Sequence, residues 1–192
     1  MRYIFTALVC SILLSACADS GRYHTKYDSP PDFHYGELDL SDAVPRYEPY
    51  NPVNLRPYQV FGQYYTPMLS AKGFVQEGQA SWYGQKFHGH TTSNGETYDM
   101  FAMTAAHKRL PLPSYVKVTN LDNDKTAIVR VNDRGPFHPG RVIDLSYAAA
   151  KKLDVISTGV ANVKLELVHV DASGVVTVGN SQTKDRALVA AP

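Results

Sequence analysis

The stretch from Val129 to Phe137, VRVNDRGPF, decides how the fold of this sequence is interpreted. Its first three residues alternate apolar and polar side chains, which is typical of a half-buried strand. An amide, a carboxylate and a guanidinium follow, and then come Gly and Pro, which favour a fixed turn. The stretch therefore predicts a strand that ends in a rigid loop presenting Asp133 and Arg134. Taken alone, it fits a catalytic carboxylate and a simple turn ion pair equally well.

The composition limits the classes of function. The chain has 192 residues, of which 44% are apolar, and a formal net charge of +1. This length permits one domain with extensions. A balanced charge does not predict a nucleic-acid partner. The sequence has no Gly-rich phosphate loop, and His88-Gly89-His90 has no clear third ligand, so we expect neither a metal nor another cofactor.

The N-terminus predicts a targeting segment. Arg2 is followed by an apolar stretch that is too short to span a bilayer but suits a signal peptide over residues 1–16. Leu14-Ser15-Ala16-Cys17 resembles the lipobox of bacterial lipoproteins, which implies cleavage before Cys17 and a lipid on its sulfur. Ala18 then favours the periplasmic face of the outer membrane. The alternative is an ordinary signal peptide with a chance cysteine.

Proline and tyrosine dominate the next segment. Between Gly21 and Gly73 lie seven of the twelve prolines and eight of the thirteen tyrosines. Prolines disfavour long helices and central strands, so residues 17–75 are interpreted as an extended, polyproline-like tether. The alternatives are that part of the segment docks on the domain or that its tyrosines bind a partner. The folded domain is predicted over 76–171 and a flexible tail over 172–192.

Within the domain, alternation predicts a mainly β fold. Strands are expected at 79–83, 115–118, 127–131 and 163–168, with a hairpin connection at 120–125. Two short helices are also expected. One begins near Thr104, covers AAHKRL and ends at Pro111. The other begins near Ser146, which can cap its N-terminus, and covers YAAAKKL.

Three further polar residues are candidates for chemistry. Glu96 follows the Asn94-Gly95 turn signal, and its alternative is a solvated loop carboxylate. His107 stands alone in an Ala-rich stretch, where a structural role is the more common one. Asp144 precedes a predicted helix, where a carboxylate is favourable without any catalytic role.

Together these motifs resemble one family. The similarity covers residues 78–170 and rests on linked motifs in order: ASWYG at 80–84, FHG at 87–89, TSNGETYD at 92–99, MTAAH at 103–107, VNDRGPF at 131–137 and RVIDLS at 141–146. They are similar to the rare lipoprotein A family. The resemblance implies a six-stranded double-psi β-barrel, shared with expansins and with a class of lytic transglycosylases.

The resemblance also implies site residues. Glu96, His107 and Asp133 match the family's expected active-site set, and Asp144 matches an acid kept in related barrels. Sugar contacts are expected from the residues beside this set, which are Trp82, Tyr83, Asn132, Arg134 and Phe137, although Trp82, Tyr83 and Phe137 also suit barrel packing. Many family members continue into a sporulation-related repeat domain, which we do not expect in this protein.

The implied activity is non-hydrolytic cleavage of peptidoglycan between N-acetylmuramic acid and N-acetylglucosamine, which leaves a 1,6-anhydro end. Asp133 is expected to protonate the leaving oxygen and then accept the C6 proton, which requires a raised pKa. Glu96 is expected to be the second carboxylate or to stabilise oxocarbenium charge, and His107 is expected to orient a carboxylate or to bond a sugar hydroxyl or N-acetyl group. Arg134 is expected to point away from Asp133, toward the barrel or Asp144.

Two other classes of function stay open. One is a non-catalytic, expansin-like peptidoglycan-binding module. The other is an envelope interaction protein in which the Tyr/Pro-rich segment is the functional part. The expected partners are peptidoglycan glycan strands, the membrane through Cys17, and envelope or divisome proteins.

Overall fold

The computed structural model describes residues 28–181. Within them the strands are β1 Tyr58–Val60, β2 Gln63–Tyr65, β3 Val75–Trp82, β4 Thr104–His107, β5 Ser114–Asn120, β6 Thr126–Asp133, β7 Arg141–Leu145, β8 Ala161–Val170 and β9 Val176–Val178. The helices of this part of the chain are short: α1 Tyr147–Lys152, and 3-10 helices at Pro52–Leu55 and Gln85–Phe87. No helix within residues 28–181 is long and apolar enough to cross a bilayer.

Six strands form a closed barrel. Their order is β3-β7-β4-β6-β5-β8, and β8 pairs back with β3. The β3/β7 and β4/β6 pairs are parallel, and the other four pairs are antiparallel. Closure leaves none of these six strands as an open edge. The predicted six-stranded, mainly β barrel is confirmed.

The barrel core follows the alternation seen in the sequence. Inward-facing residues on β5, β6 and β8 are at most 2% exposed, namely Val116, Val118, Val129, Val131, Val163, Leu165 and Leu167. Burial of each such side chain contributes about 1.5–3 kcal/mol. The hairpin connection predicted between β5 and β6 is also confirmed.

Helix α1 begins where the sequence predicts it. The Ser146 hydroxyl accepts a hydrogen bond from the Ala149 amide at 3.2 Å, which caps the helix. Ala148, Ala149 and Ala150 are fully buried against the barrel. The small side chains thus let the helix approach the strands closely.

The other predicted helix is wrong. Residues Thr104–His107 form β4, which pairs with β6 on one side and β7 on the other. Ala105 and Ala106 are buried there. Helix propensity is worth less than about 1 kcal/mol per residue, so two flanking strands override the helical preference of alanine.

The tether interpretation is wrong for residues 28–74, because this segment docks on the barrel. Ala43 N donates to Ile128 O at 2.9 Å, and Met68 N donates to Arg109 O at 2.7 Å. Leu40 and Phe74 also pack against the core. Proline removes some amide donors, but several of the remaining amides find acceptors on the barrel. Docking of part of the segment, the alternative interpretation, matches the structure.

The prediction of a flexible tail over 172–192 is wrong for its first part. β9 pairs with the end of β8, so residues 176–178 belong to the sheet. Residues 182–192, the predicted signal peptide over 1–16 and Cys17 lie outside the described residues.

Candidate active site

A groove of about 670 Å³ lies at the end of β6. One side consists of the loop after β6, the 91–93 turn and Asp144. Residues of the docked N-terminal segment, between Val53 and Phe61, form another part of its lining. The volume falls in the range of ligand-binding clefts.

Two carboxylates share this groove. Asp133 on β6 and Asp144 on β7 both line it. Each is the strand partner of Ala106, which lies between them on β4. Since neighbouring strands lie about 4.8 Å apart, the two Cα atoms are separated by about 10 Å. The barrel therefore holds two acids on either side of a small residue.

Asp133 is held firmly by its surroundings. Its Oδ1 accepts hydrogen bonds from Ser93 N at 2.7 Å, Ser93 Oγ at 2.6 Å and Arg134 N at 2.7 Å. The carboxylate is thereby fixed on a rigid strand end. Within residues 28–181, Oδ2 has no hydrogen-bond partner, so this oxygen can meet a ligand.

Asp144 is the more deeply buried acid. Burial raises its pKa, and the Ser81 hydroxyl, Arg141, His138 and Lys108 offset only part of this effect. Ser81 Oγ donates to Asp144 Oδ1 and accepts from Arg141 Nη1 at 2.8 Å. Asp144 therefore holds its proton to a higher pH than an ordinary aspartate.

Glu96 lies outside the lining of the groove. Its Oε2 accepts from Arg130 Nη1 at 2.6 Å and from Asn132 Nδ2 at 2.8 Å, and its Oε1 accepts from Asn94 Nδ2 at 2.6 Å. Burial acts to raise its pKa, but these hydrogen bonds outweigh burial and lower it. Glu96 is thus an ionised anchor for the turn that carries Ser93.

The same network reaches the docked N-terminal segment. Arg130 donates from Nη2 and Nε to the two oxygens of Glu48, at 2.7 and 3.0 Å. Tyr115 also donates to Glu48, at 2.5 Å. Arg130 therefore links Glu48 to Glu96, and the segment supports the turn beside Asp133.

The imidazole of His107 does not reach the groove. The residue is 3% exposed, and its Nδ1 accepts from Arg109 N at 3.1 Å and Leu110 N at 3.0 Å. With Nδ1 as acceptor, Nε2 carries the proton and donates to Gln76 Oε1 at 3.1 Å. Burial, aided by nearby cations, lowers the pKa of His107 to about 3. The neutral ring holds the turn after β4.

Arg134 points away from the Asp133 carboxylate, as predicted. It bonds to the barrel and not to Asp144, the other partner that was expected. Its guanidinium donates to the carbonyl oxygens of His107, Leu110 and Asn54, at 3.1, 2.6 and 2.7 Å. These bonds tie the loop after β6 to the N-terminal segment. Phe137 lines the groove, as expected of a sugar-contacting residue.

Gly135 has a conformation that other residues rarely adopt. Its φ is +141°, and a Cβ there would lie 3.7 Å from Asp144 Oδ2 and 3.8 Å from the Ala106 Cβ. The glycine lets the loop after β6 turn between the two acids.

The other residues predicted to contact sugar pack elsewhere. Tyr83 is 7% exposed and stacks on Tyr98 at a centroid distance of 4.1 Å. Burial raises the pKa of Tyr83, and Asp133 and Asp144 add to the shift. Trp82 packs edge-on against Tyr147 at 5.9 Å. Asn132 is buried and positions Glu96. None of these three lines the groove.

Sequence reasoning missed one wall of the groove. Asn54, Arg56, Tyr58, Val60 and Phe61 line it from a segment that was interpreted as a tether. A signal was present, because Phe61-Gly62 separates two short runs that contain the strand-forming residues Tyr and Val, as in a two-residue hairpin. Within residues 28–181, no group of three His, Cys, Asp or Glu side chains is arranged to hold a metal ion.

Comparison with known proteins identifies relatives. Residues 75–165 match the family model described as "Lytic transglycolase". A protein from Vibrio cholerae serotype O1, named endolytic peptidoglycan transglycosylase RlpA, is 53% identical over 172 residues, which is 89% of this chain and 65% of the relative. The protein of that name from Pseudomonas aeruginosa strain UCBPP-PA14 is 56% identical over 80% of this chain and 44% of the relative. The chain thus spans less than two thirds of the length of these relatives.

Solved structures show weaker likeness. The Streptomyces papain inhibitor has a TM-score of 0.41 and 24% identity, covering 50% of this chain and 96% of that one. An apo expansin of Clavibacter michiganensis has a TM-score of 0.41 and 18% identity, covering 52% of each chain. The identity with the Vibrio and Pseudomonas proteins, together with the matched barrel domain, shows that this chain belongs to the RlpA family, the rare lipoprotein A family that its motifs resemble.

Proposed function

We propose that this protein is an endolytic peptidoglycan lytic transglycosylase. The proposed reaction cleaves the bond between N-acetylmuramic acid and N-acetylglucosamine and leaves a 1,6-anhydro end. Two curated relatives bear the name of this activity, and the matched family model bears a corresponding description. The single observation that carries the proposal is the placement of Asp133 and Asp144 in one groove.

The two acids suit two different tasks. Asp144 has a raised pKa, so it is suited to protonate the leaving glycosidic oxygen as the C1–O bond breaks. Asp133 presents Oδ2, which accepts the proton of the muramic C6 hydroxyl as that oxygen attacks C1. One proton leaves Asp144 and one arrives at Asp133, and exchange with solvent restores both. This division differs from the expectation that Asp133 acts alone with Glu96 beside it.

The remaining residues of the expected set are positioning residues in this mechanism. Glu96 fixes the turn whose Ser93 binds Asp133. His107 holds the turn after β4, and its carbonyl oxygen receives Arg134. Because the Arg134 guanidinium donates to backbone carbonyl oxygens and not to Asp133, the Oδ2 atom of Asp133 remains available to the substrate.

Mass spectrometry of the products tests the proposal. Purified glycan strands are incubated with the wild-type protein and with Asp133→Asn and Asp144→Asn variants. Anhydro ends from the wild type, reduced at least about 100-fold in both variants, support it. Reducing ends from the wild type would identify a hydrolase instead, since a hydrolase uses water as the attacking group.

A non-catalytic, expansin-like function is the second candidate. The same experiment separates the two, because that function predicts glycan binding without new ends of either kind. The presence of two acids in one groove, one with a raised pKa, favours the enzyme.

We further propose that Cys17 carries a lipid and that the protein acts from the periplasmic face of the outer membrane. The lipobox-like LSAC sequence at 14–17 and Ala18 support this proposal. Labelling with an alkynyl fatty acid should mark the wild type and not Cys17→Ala, and membrane fractionation should show the same difference. Association with envelope or divisome proteins stays a prediction.

A further inference from the structure

The second wall of the groove is a β-hairpin. β1 and β2 pair antiparallel through the two-residue turn Phe61-Gly62. Both turn residues have positive φ, +50° and +78°, which is the geometry of a type I′ turn. Gly or Asn normally occupies such positions, whereas a bulky aromatic residue there is a conformational outlier.

Phe61 gains no burial in return for this strain. Its side chain is 92% exposed, yet it lines the groove that holds Asp133 and Asp144. A large apolar ring in a strained turn and in contact with solvent is not explained by folding. Backbone strain of this kind concentrates at ligand-binding positions.

The hairpin is fixed relative to the two acids. The Phe61 ring lies 6.4 Å from the Phe137 ring, edge to face, and Phe137 also contacts Tyr58 and Tyr65. The Arg134 guanidinium lies over the Tyr58 ring at 5.6 Å. Phe137 and Arg134 belong to the loop that follows Asp133, so the exposed ring is anchored to the proposed catalytic strand end.

We propose that Phe61 and Phe137 form a sugar-binding subsite, in which Phe61 stacks on the apolar face of a pyranose ring in the bound glycan strand. This inference rests on the proposed function, since it places a sugar beside the bond that Asp133 and Asp144 act on. A pyranose face presents C–H groups that pack on an aromatic ring, whereas its hydroxyls stay in water. Phe61, unlike Phe137, lies outside residues 75–165, the part that matches the family model.

The hairpin offers a matched control. Tyr64 is also an exposed aromatic residue of this hairpin, at 73%, but it does not line the groove. We compare Phe61→Ala, Phe61→Gly, Phe61→Trp and Tyr64→Ala with the wild type, each in the full chain. Co-sedimentation with insoluble, peptide-free peptidoglycan measures binding, and anhydro ends measured by mass spectrometry give kcat and KM.

We expect Phe61→Ala and Phe61→Gly to weaken binding and raise KM by about 3- to 10-fold, as loss of one aromatic stacking contact predicts. Phe61→Trp should keep binding, and Tyr64→Ala should match the wild type. The melting temperature of Phe61→Gly should not fall, because glycine accepts positive φ. A merely structural role for Phe61 would predict no change in binding.

The outcomes separate this subsite from the proposed function. If the wild type binds glycan but makes no anhydro ends, the enzyme proposal fails, and binding loss in Phe61→Ala still supports the subsite. If the wild type makes anhydro ends and Phe61→Ala equals it in binding and KM, the subsite is overturned. Equal weakening by Tyr64→Ala would also overturn it, since the effect would then belong to the whole hairpin.

Discussion

Asp133 and Asp144 reach the same groove from two strands that do not pair with each other, because Ala106 on β4 separates them. The space between the acids is therefore bounded by a methyl group. Gly135 lies in the same place, since a Cβ on it would be 3.8 Å from the Ala106 Cβ, so two small residues border the space between the carboxylates.

The pH dependence of cleavage should follow Asp144. Its raised pKa keeps a proton available, so the rate should fall as pH rises through that pKa. The hydrogen bond from Ser81 lowers this pKa, and Ser81→Ala should therefore move the falling limb to higher pH. Rates of anhydro-end formation across pH measure the limb. A limb that stays in place in Ser81→Ala contradicts the assignment of Asp144 as the proton donor.

His107 should make the fold sensitive to mild acid. The unfolded chain binds a proton at His107 below the ordinary pKa of 6.5, whereas the native state does so only near 3. Native stability from this group is thus complete above pH 6.5 and is lost toward pH 3. The free energy of unfolding should drop by about 2 kcal/mol between pH 6.5 and pH 5.

Urea unfolding at several pH values measures that slope. His107→Asn keeps a hydrogen-bond acceptor near the Arg109 and Leu110 amides but cannot titrate. The free energy of unfolding of this variant should change less than that of the wild type between pH 6.5 and pH 5. An unchanged slope in this variant would assign the effect to another group.

Arg130 should be irreplaceable by lysine. Its fork binds Glu48 and Glu96 at once, and a single ammonium cannot reproduce both contacts. Arg130→Lys should lower the free energy of unfolding by about 1–3 kcal/mol. It should also slow cleavage, because the Ser93 turn loses its anchor. Arg46→Gln is the control, since Arg46 is exposed and contacts Glu48 only at 3.4 Å, and it should change stability by less than about 0.5 kcal/mol.

Gly135→Ala should damage the site directly. The new methyl group would make only ordinary contacts with Asp144 and Ala106, but the φ of +141° would be strained and would shift the loop that follows Asp133. We expect destabilisation of about 1–3 kcal/mol together with a loss of cleavage. Gly89→Ala is the control, because Gly89 also has a positive φ, +81°, but a Cβ there would meet nothing within 4 Å. Thermal unfolding and anhydro-end assays of both variants should show lost cleavage only for Gly135→Ala.

The sequence predicts the barrel well where the packing follows alternation. Residues 115–118 and 127–131 are strands whose alternate apolar residues, such as Val116 and Val129, face the barrel core. β4 is not predictable from local preference, since its alanines favour a helix and only the β6 and β7 ladders decide otherwise. The position of Asp133 at a strand end could be read from VNDRGPF.

The division of roles among the acids depends on three-dimensional neighbours. Glu96 and Asp144 both lie in strong sequence motifs. Arg130 and Asn132 bind the Glu96 carboxylate and lower its pKa, whereas burial raises the pKa of Asp144. The role of Phe61 was also out of reach, because a hairpin at Phe61-Gly62 can be inferred from the sequence, whereas the groove that Phe61 lines cannot.

Docking of the N-terminal segment limits how far the barrel could lie from a lipid anchor at Cys17. A free tether over 17–75 could reach on the order of 200 Å at full extension. Since the chain is already bound to the barrel from Asp28 onward, only the residues at 18–27 separate Cys17 from the folded body, and they span at most roughly 40 Å. With the proposed lipid on Cys17, the groove would be confined to the glycan layer next to the membrane. The length of the segment at 18–27 would then determine which glycan strands the proposed reaction can reach.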